Sequence, residues 1–345
     1  MSVLSRVLTF VGVLACTFAS PIVASASGHD HAGPAPIPAT AEGSNPDPAK
    51  GYVVEETRGG LYWIGNGAYM VMAMVGPNGV ALIDAPPSLH RQIMPALAEI
   101  TDQPLTHLVY SHLHGDHIGG AGYIAERNEG LTIIAHERTA ELLARGLECT
   151  DCVPGSNPRP APTITFDDTY TLNLGAGQVL ELRYRGPNHA DGNIFIHAPR
   201  HRTLMLVDVA YPGWVPFDLL SVSTDIPGWI TAYDRILEYD FDTFVGGHIA
   251  RTGTRADIET GRDYVQAVRA AAIAALRDNP RSKVIPPLAK EHGGANRWWL
   301  TDQHTIAVVD QCAQAVSNDW QGRLGGVETY AREHCKRMQF SLRID

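Results

Sequence analysis

The apolar positions of this 345-residue chain change their period along its length. From Gly60 to Ala85 they come in short runs, "GLYWIGN", "AYMVMAMV" and "VALIDA", the last two separated by "PNG". Brief apolar runs bounded by turn residues predict strands, and the Pro-Asn-Gly break predicts a hairpin. Pro86 and Pro87 close the third run, "SLHRQIMPALAEI" takes helical spacing, and "THLVYS" returns to a strand. A strand "LTIIAH" and a helix "ERTAELLARGL" follow. The runs "YTLNLG", "QVLELRYRG", "NIFIHAP" and "TLMLVDV" predict a second set of strands. "GWITAYDRILEY" is helical, "DTFVGGH" is a strand entering a loop, and "IETGRDYVQAVRAAAIAALRDN" is a long helix with Tyr264, Val268, Ala271 and Ala275 on one face. Two β-rich halves, each carrying helices, imply an α/β fold of two facing sheets with helices outside. From about residue 280 the tail is helical in part, "HTIAVVDQCAQAVSNDW", and is expected to be an appended element.

The ends of the chain follow other rules. Arg6, the apolar run "VLTFVGVLACTFA" and then "VASAS" read as an export signal over residues 1–26, with Ala24 and Ala26 at the small-residue positions of a cleavage site. Cys16 raises a lipoprotein alternative, against which Val13 fits the lipobox poorly and apolar residues continue past the cysteine. Residues 27–50 are rich in Pro, Ala and Gly ("GPAPIPATAEGSNPDP"), which predicts a disordered tether. No later apolar run is long enough to span a bilayer. The expectation is a periplasmic or secreted protein with a catalytic domain over residues 51–279 and a C-terminal extension over 280–345.

Composition and charge narrow the partners. With 44% hydrophobic and 19% charged residues the chain is ordinarily globular, and a net charge of -10 without a Lys/Arg run excludes a nucleic-acid partner. A small molecule is the expected partner; nothing in the pattern specifies an oligomeric state. Beyond the signal four cysteines remain, and an oxidising compartment favours the pairs Cys149 with Cys152 and Cys312 with Cys335. "ECTDC" could instead be half of a zinc site, but completing it would need both distant cysteines.

The densest chemistry lies in "SHLHGDHIGG", Ser111 to Gly120, which follows a predicted strand directly. Loops at strand ends are where ligand sites of layered α/β folds gather. His112 and His114 alternate along an extended segment and point the same way, so two imidazoles can share one metal. Asp116 and His117 lie at the turn into the next helix and aim toward a neighbouring position. Catalytic zinc takes at least three protein ligands and keeps a place for water, so further ligands must come from elsewhere. His189 in "GPNHADGN", Asp208 in "LMLVDVAYPG" and His248 in "FVGGHI" each sit where a loop leaves a predicted strand.

Together with Asp84 in "ALIDAP", these residues occur in the order and setting of the metallo-β-lactamase fold superfamily, which the chain resembles from about Gly51 to Asn279. The resemblance implies a four-layer αββα sandwich and two zinc ions per chain. His112, His114 and His189 would hold one zinc, Asp116, His117 and His248 the other, and Asp208 would bridge them. Asp116 is also assigned a catalytic role, and Asp84 would orient the histidine loop without touching a metal. Two metals about 3.5 to 4 Å apart can activate a shared water and polarise a substrate oxygen. His90, His107, His136, His197 and His201 fit no role and are expected to be structural.

The loop after Asp208, "VAYPGWVPFDLLSVSTDIPGW", should border the metals. It carries Tyr211, Trp214, Phe217 and Trp229, and no Lys or Arg occurs from Thr203 through Asp234. Such a wall, with Tyr211 and Trp214 as expected substrate contacts, suits a neutral, partly apolar substrate. Tyr211 stands where one β-lactamase branch of the superfamily has a carboxylate-anchoring lysine, and Asp208 where that branch has a cysteine ligand. The expected activity is hydrolysis of a lactone, ester or related acyl bond by a metal-bound hydroxide. The alternatives are a β-lactamase, a mononuclear iron enzyme of the persulfide dioxygenase type, and a zinc-binding protein without turnover.

Overall fold

The computed structural model describes residues 35–146 and 158–345; the expected signal segment and the Cys149–Cys152 pair lie outside the described residues. Seven strands form one sheet in sequence order: β1 (Val53–Arg58), β2 (Leu61–Gly65), β3 (Met70–Gly76), β4 (Gly79–Ile83), β5 (Leu105–Val109), β6 (Thr132–His136) and β7 (Ile164–Phe166). The first four run antiparallel, while β4 to β7 are parallel. Parallel neighbours need crossovers. These contain α1 (His90–Ile100), then α2 (Gly115–Ile118) and α3 (Ala121–Ala125), then α4 (Glu137–Leu143).

The second sheet contains β8 (Thr169–Asn173), β9 (Val179–Arg183), β10 (Phe195–Ala198), β11 (Thr203–Met205) and β12 (Thr243–Val245) in the order β12-β11-β10-β9-β8. Only β11 and β12 pair in parallel. The remaining segments of more than three residues are the left-handed turn α5 (Asp218–Ser221) and the helices α6 (Ile226–Leu237), α7 (Arg255–Asp278), α8 (Arg281–His292), α9 (Arg297–Trp320) and α10 (Val327–Ile344).

Side-chain alternation along β3 shows why the layers form. Met72 and Met74 face inward and pack with Leu180, Leu182, Ile196 and Met205 of the other sheet, whereas Val71 and Ala73 face outward toward Ile93, Leu97 and Ile124 of α1 and α3. A strand covered on both faces must be apolar at both periods, and all seven residues of β3 except Val75 are buried. On the opposite side Phe195, Leu204 and Phe244 meet Trp229 and Tyr233 of α6, Val265 and Val268 of α7 and Val308 of α9. The result is the expected αββα sandwich.

The C-terminal helices belong to that second helical layer, for Val308, Cys312, Cys335 and Met338 share its buried core. A disulfide between Cys312 and Cys335 ties α9 to α10. The expected tether behaves differently from the prediction in its described part. From Pro36 to Lys50 the chain lies on the domain: the Ser44 N–H donates to the Ala250 carbonyl, Asp47 N–H to that of Tyr52, and the Trp214 indole to that of Ala41. These partners satisfy backbone that composition alone leaves to solvent. No described helix is long and apolar enough to cross a membrane.

Candidate metal centre

Every metal-ligand candidate named from the sequence arrives at one rim of the sandwich. His112 lies just beyond β5, His114 caps α2, and Asp116 and His117 sit within that short helix. His189 precedes β10, Asp208 follows β11 and His248 follows β12. The backbone there is bent hard: Asp84 (φ 67°), Asp208 (φ 64°) and Ile249 (φ 62°) all take the left-handed conformation. Each such non-glycine residue costs about 1–3 kcal/mol and persists only where its surroundings fix it. Gly247 (φ 87°) precedes His248 for a further reason, since a Cβ there would stand 2.6 Å from Val207 Cγ1.

The side chains converge as two groups. His112, His114, His189 and Asp208 present donor atoms within 4.8 Å of one another, as do Asp116, His117 and His248. Asp208 stands between them. Its Oδ2 is 3.5 Å from His112 Nε2, 3.2 Å from His189 Nε2 and 3.1 Å from His117 Nε2, and its Oδ1 is 2.9 Å from His248 Nε2. Asp116 is looser, with Oδ2 3.6 Å from His117 Nε2 and 3.9 Å from that of His248. The Tyr211 hydroxyl donates to Asp208 Oδ1 at 3.1 Å.

Other residues aim these side chains. Ser111 Oγ lies 2.9 Å from His112 Nδ1, which turns Nε2 inward, and Ser223 Oγ lies 3.4 Å from His189 Nδ1. Asp84 Oδ1 accepts from the Ser111 N–H at 2.8 Å, while its Oδ2 remains 3.9 Å from His117 Nδ1. The Tyr69 hydroxyl donates to Asp116 Oδ2 at 3.4 Å, and its ring packs on that of His248 with centroids 4.6 Å apart. Tyr69 and Ser223 are absent from the sequence-based set because the first reads as an ordinary strand aromatic and the second as a loop serine.

Electrostatics follow from burial in this cluster. Burial, followed by the neighbouring imidazoles, holds His112 well below the usual histidine range, and burial with His189 brings His114 down to about 4. At His117 burial also pulls downward, but Asp208, Asp116 and Asp84 together outweigh it and push the ring up to about 9. Burial would raise Asp208; His117, His189 and His248 overcome it and keep the carboxyl well below the carboxylate range. Burial lifts Asp84 to about 6.

The donor set fits metal ions on the structure's own terms. His112 Nε2, which faces Asp208, is buried without a hydrogen-bond partner among the described residues. Imidazole nitrogens face each other at 2.8 Å between His114 and His189, and at 3.0 Å between His117 and His248. Inward lone pairs converging around a carboxylate are the arrangement a cation satisfies, and imidazole with carboxylate is a donor set that suits zinc.

A cavity of ≈ 240 Å³ opens onto the cluster, lined by Tyr69, His114, Asp116, His189, Asp208 and His248 with Tyr211, Phe217 and Val222. Trp214 lies outside it and lines an adjoining cavity. Trp229 is a correction to the expected aromatic wall: it is fully buried beneath the site, and its indole donates to the Asp208 carbonyl at 3.1 Å. Its place on the inner face of α6 removes it from any substrate. The unassigned histidines are structural in part, His136 capping α4 and His201 bonding Gln178.

A model of the metallo-beta-lactamase superfamily matches residues 64–248, which include every residue of both clusters. The chain belongs to that superfamily. It is 31% identical over 231 residues, 65% of each chain, to the 2,4-dinitroanisole O-demethylase subunit alpha of Nocardioides sp. (strain JS1661). To the metallo-beta-lactamase type 2 of Bacteroides fragilis it is 29% identical over 137 residues, 39% of this chain and 49% of that one. It thus spans less than two thirds of the length of these curated relatives. Among solved structures a metallo-beta-lactamase from Pontibacter korlensis superposes with a TM-score of 0.51 at 19% identity, over 61% of this chain and 99% of that one, a likeness of fold. The matched stretch ends at the last clustered histidine, His248, and the helices α7 to α10 follow it.

Proposed function

We propose that this chain is an exported hydrolase of neutral lactones, esters or related acyl compounds that works with two zinc ions, one at each side-chain group. The observation that carries the reading is the Asp208 carboxylate within 3.5 Å of imidazoles from both groups. His112, His114 and His189 would hold one ion and Asp116, His117 and His248 the other, with Asp208 shared. A bound zinc pair supplies Lewis acidity, which lowers the pKa of water and polarises a substrate oxygen.

The chain's own residues do the positioning. Tyr211, hydrogen-bonded to Oδ1, fixes the rotation of the Asp208 carboxylate. Asp116 reaches the cavity with Oδ2 accepting from Tyr69, and its carboxylate would take a proton from an attacking water. Among the described residues no Lys or Arg lines the cavity, so a substrate carboxylate would find no fixed cation among them. That absence favours a neutral acyl substrate over a penicillin.

Two other substrate classes are worth setting beside this one. The Nocardioides relative's name points to an aryl methyl ether, and the Bacteroides relative's name to a β-lactam. A panel of γ-butyrolactone, phenyl acetate, 4-nitroanisole, benzylpenicillin and a carbapenem separates the three. We expect kcat/KM for the lactone or ester to exceed that for either β-lactam by at least about tenfold. Turnover of the β-lactams or the anisole without lactone or ester cleavage would replace the acyl reading.

A further inference from the structure

Beside the cavity at the clusters lies a second one of ≈ 180 Å³, lined by Tyr211, Trp214, Val215, Phe217, His248, Ile249, Gly325, Gly326 and Tyr330. Tyr211, Phe217 and His248 border both cavities, so a molecule in one touches the wall of the other. We propose that this second cavity is a substrate subsite for one uncharged six-membered ring, and that the C-terminal extension builds its outer wall. The proposal takes the paired clusters as the reaction centre and adds to that reading the part of the substrate that does not react.

The extension reaches the site by specific contacts. The Val215 N–H donates to the Gly325 carbonyl, and the Gly325 N–H donates to that of Gly213, both at 3.0 Å, so the turn before α10 lies strand-like against the loop after Asp208. Gly325 permits this approach, because a Cβ would stand 2.6 Å from Trp214 Cε3. Tyr330, one turn into α10, then meets Phe217 edge-on with centroids 5.6 Å apart. Trp214 is held by its indole N–H on the Ala41 carbonyl, leaving its ring as a fixed wall.

Size and polarity select the occupant. An apolar cavity of about 150 Å³ accommodates benzene, and ≈ 180 Å³ is therefore the scale of one ring. Four aromatic side chains, two aliphatic ones and the His248 imidazole form the lining with two glycines, and among the described residues neither Lys, Arg, Asp nor Glu contributes to it. Aromatic walls favour edge and offset contacts with another ring. Phe217 is 51% exposed in the free protein, which is apolar surface that a bound ring would cover.

The test has a binding arm and a kinetic arm. Benzyl alcohol is titrated by calorimetry into the full-length parent, Tyr330→Ala and Phe217→Ala, each first shown to unfold at the parent's temperature. The parent should bind one equivalent saturably, and each truncation should weaken binding by about fivefold or more. In the kinetic arm γ-phenyl-γ-butyrolactone should exceed γ-butyrolactone in kcat/KM by about tenfold in the parent, and the ratio should collapse toward unity in Tyr330→Ala. Should Tyr330→Ala fold poorly, Phe217→Ala decides, since its side chain is exposed. No saturable binding by the parent, or parent-like binding by the folded variants, overturns the subsite. Binding that the variants lose, with no lactone cleaved by any protein, keeps the subsite and removes the acyl-hydrolase reading.

Discussion

The Ser111 backbone N–H donates to Asp84 Oδ1 across 2.8 Å, joining the end of β4 to the first residue of the histidine loop. Asp84 is fully buried and left-handed, so a strained residue holds the loop that carries four of the seven clustered side chains.

This contact separates two substitutions at one position. Asp84→Asn keeps a carbonyl oxygen for Ser111 and should lower zinc affinity by about 10 to 100-fold, the usual effect of a residue that orients ligands. Asp84→Ala removes the acceptor, buries an unpaired N–H and should cost more. Zinc affinities of the two variants, measured against a competing chelator, check the order; equal losses would show that charge rather than the hydrogen bond matters.

Asp208→Ala should lower hydrolysis by at least about a hundredfold, because it removes the only carboxylate among the described residues that touches both side-chain groups. Tyr211→Phe leaves that carboxylate in place without its 3.1 Å donor and should lose roughly tenfold. His114→Ala, half-buried at the cavity, should leave a folded protein depleted of metal. Circular dichroism beside activity distinguishes loss of the centre from loss of the fold.

The strained turn beside the site depends on the last helix. Leu219, Leu220, Ser221 and Val222 all have φ between 48° and 60°, and α10 fixes this segment through His334 Nε2, which donates to the Pro216 and Phe217 carbonyls, and through Arg337, which donates to that of Ser223. Cys312→Ser with Cys335→Ser unties α10 from α9 and should lower unfolding free energy by about 2–4 kcal/mol. Urea unfolding with and without reductant measures it, and the double variant should show no effect of reductant.

His334 also makes stability depend on pH. Burial brings its pKa from 6.5 down to about 4, against the smaller pull of the Phe217 and Pro216 carbonyls. Its Nδ1 meets the Tyr264 hydroxyl at 2.8 Å, and Tyr330 is the other titratable ring beside it. The unfolded chain binds this proton more readily than the folded one. Stability from this group is therefore complete above pH 6.5 and falls as pH drops toward 4, by on the order of 3 kcal/mol in all. Between pH 7 and pH 5, urea unfolding of His334→Gln should lose less stability than the parent; identical slopes would contradict a neutral buried imidazole.

What the sequence reveals about this site depends on how local each signal is. His112 through His117 are legible because four chemically similar side chains fall within six positions, and His189, Asp208 and His248 because each follows an apolar run. Tyr69 touches Asp116 across 47 positions, a proximity that arises only once β3, β4 and β5 lie side by side in one sheet. Trp229 and Tyr330 show the same limit in opposite directions. Helical spacing does not say which aromatic faces the core, nor that a helix some 120 residues after Asp208 returns to the cavity adjoining its own. The tether expectation fails for Pro36 to Lys50 because composition counts what a segment can bury by itself, and this one borrows partners from Trp214, Ala250 and Tyr52.

The most direct measurement is elemental analysis of protein purified without chelators or added metal, quantified per chain. The account predicts about two metal ions per chain, mainly zinc, with the second lost on His248→Ala while the first remains. One iron per chain and no zinc would contradict it.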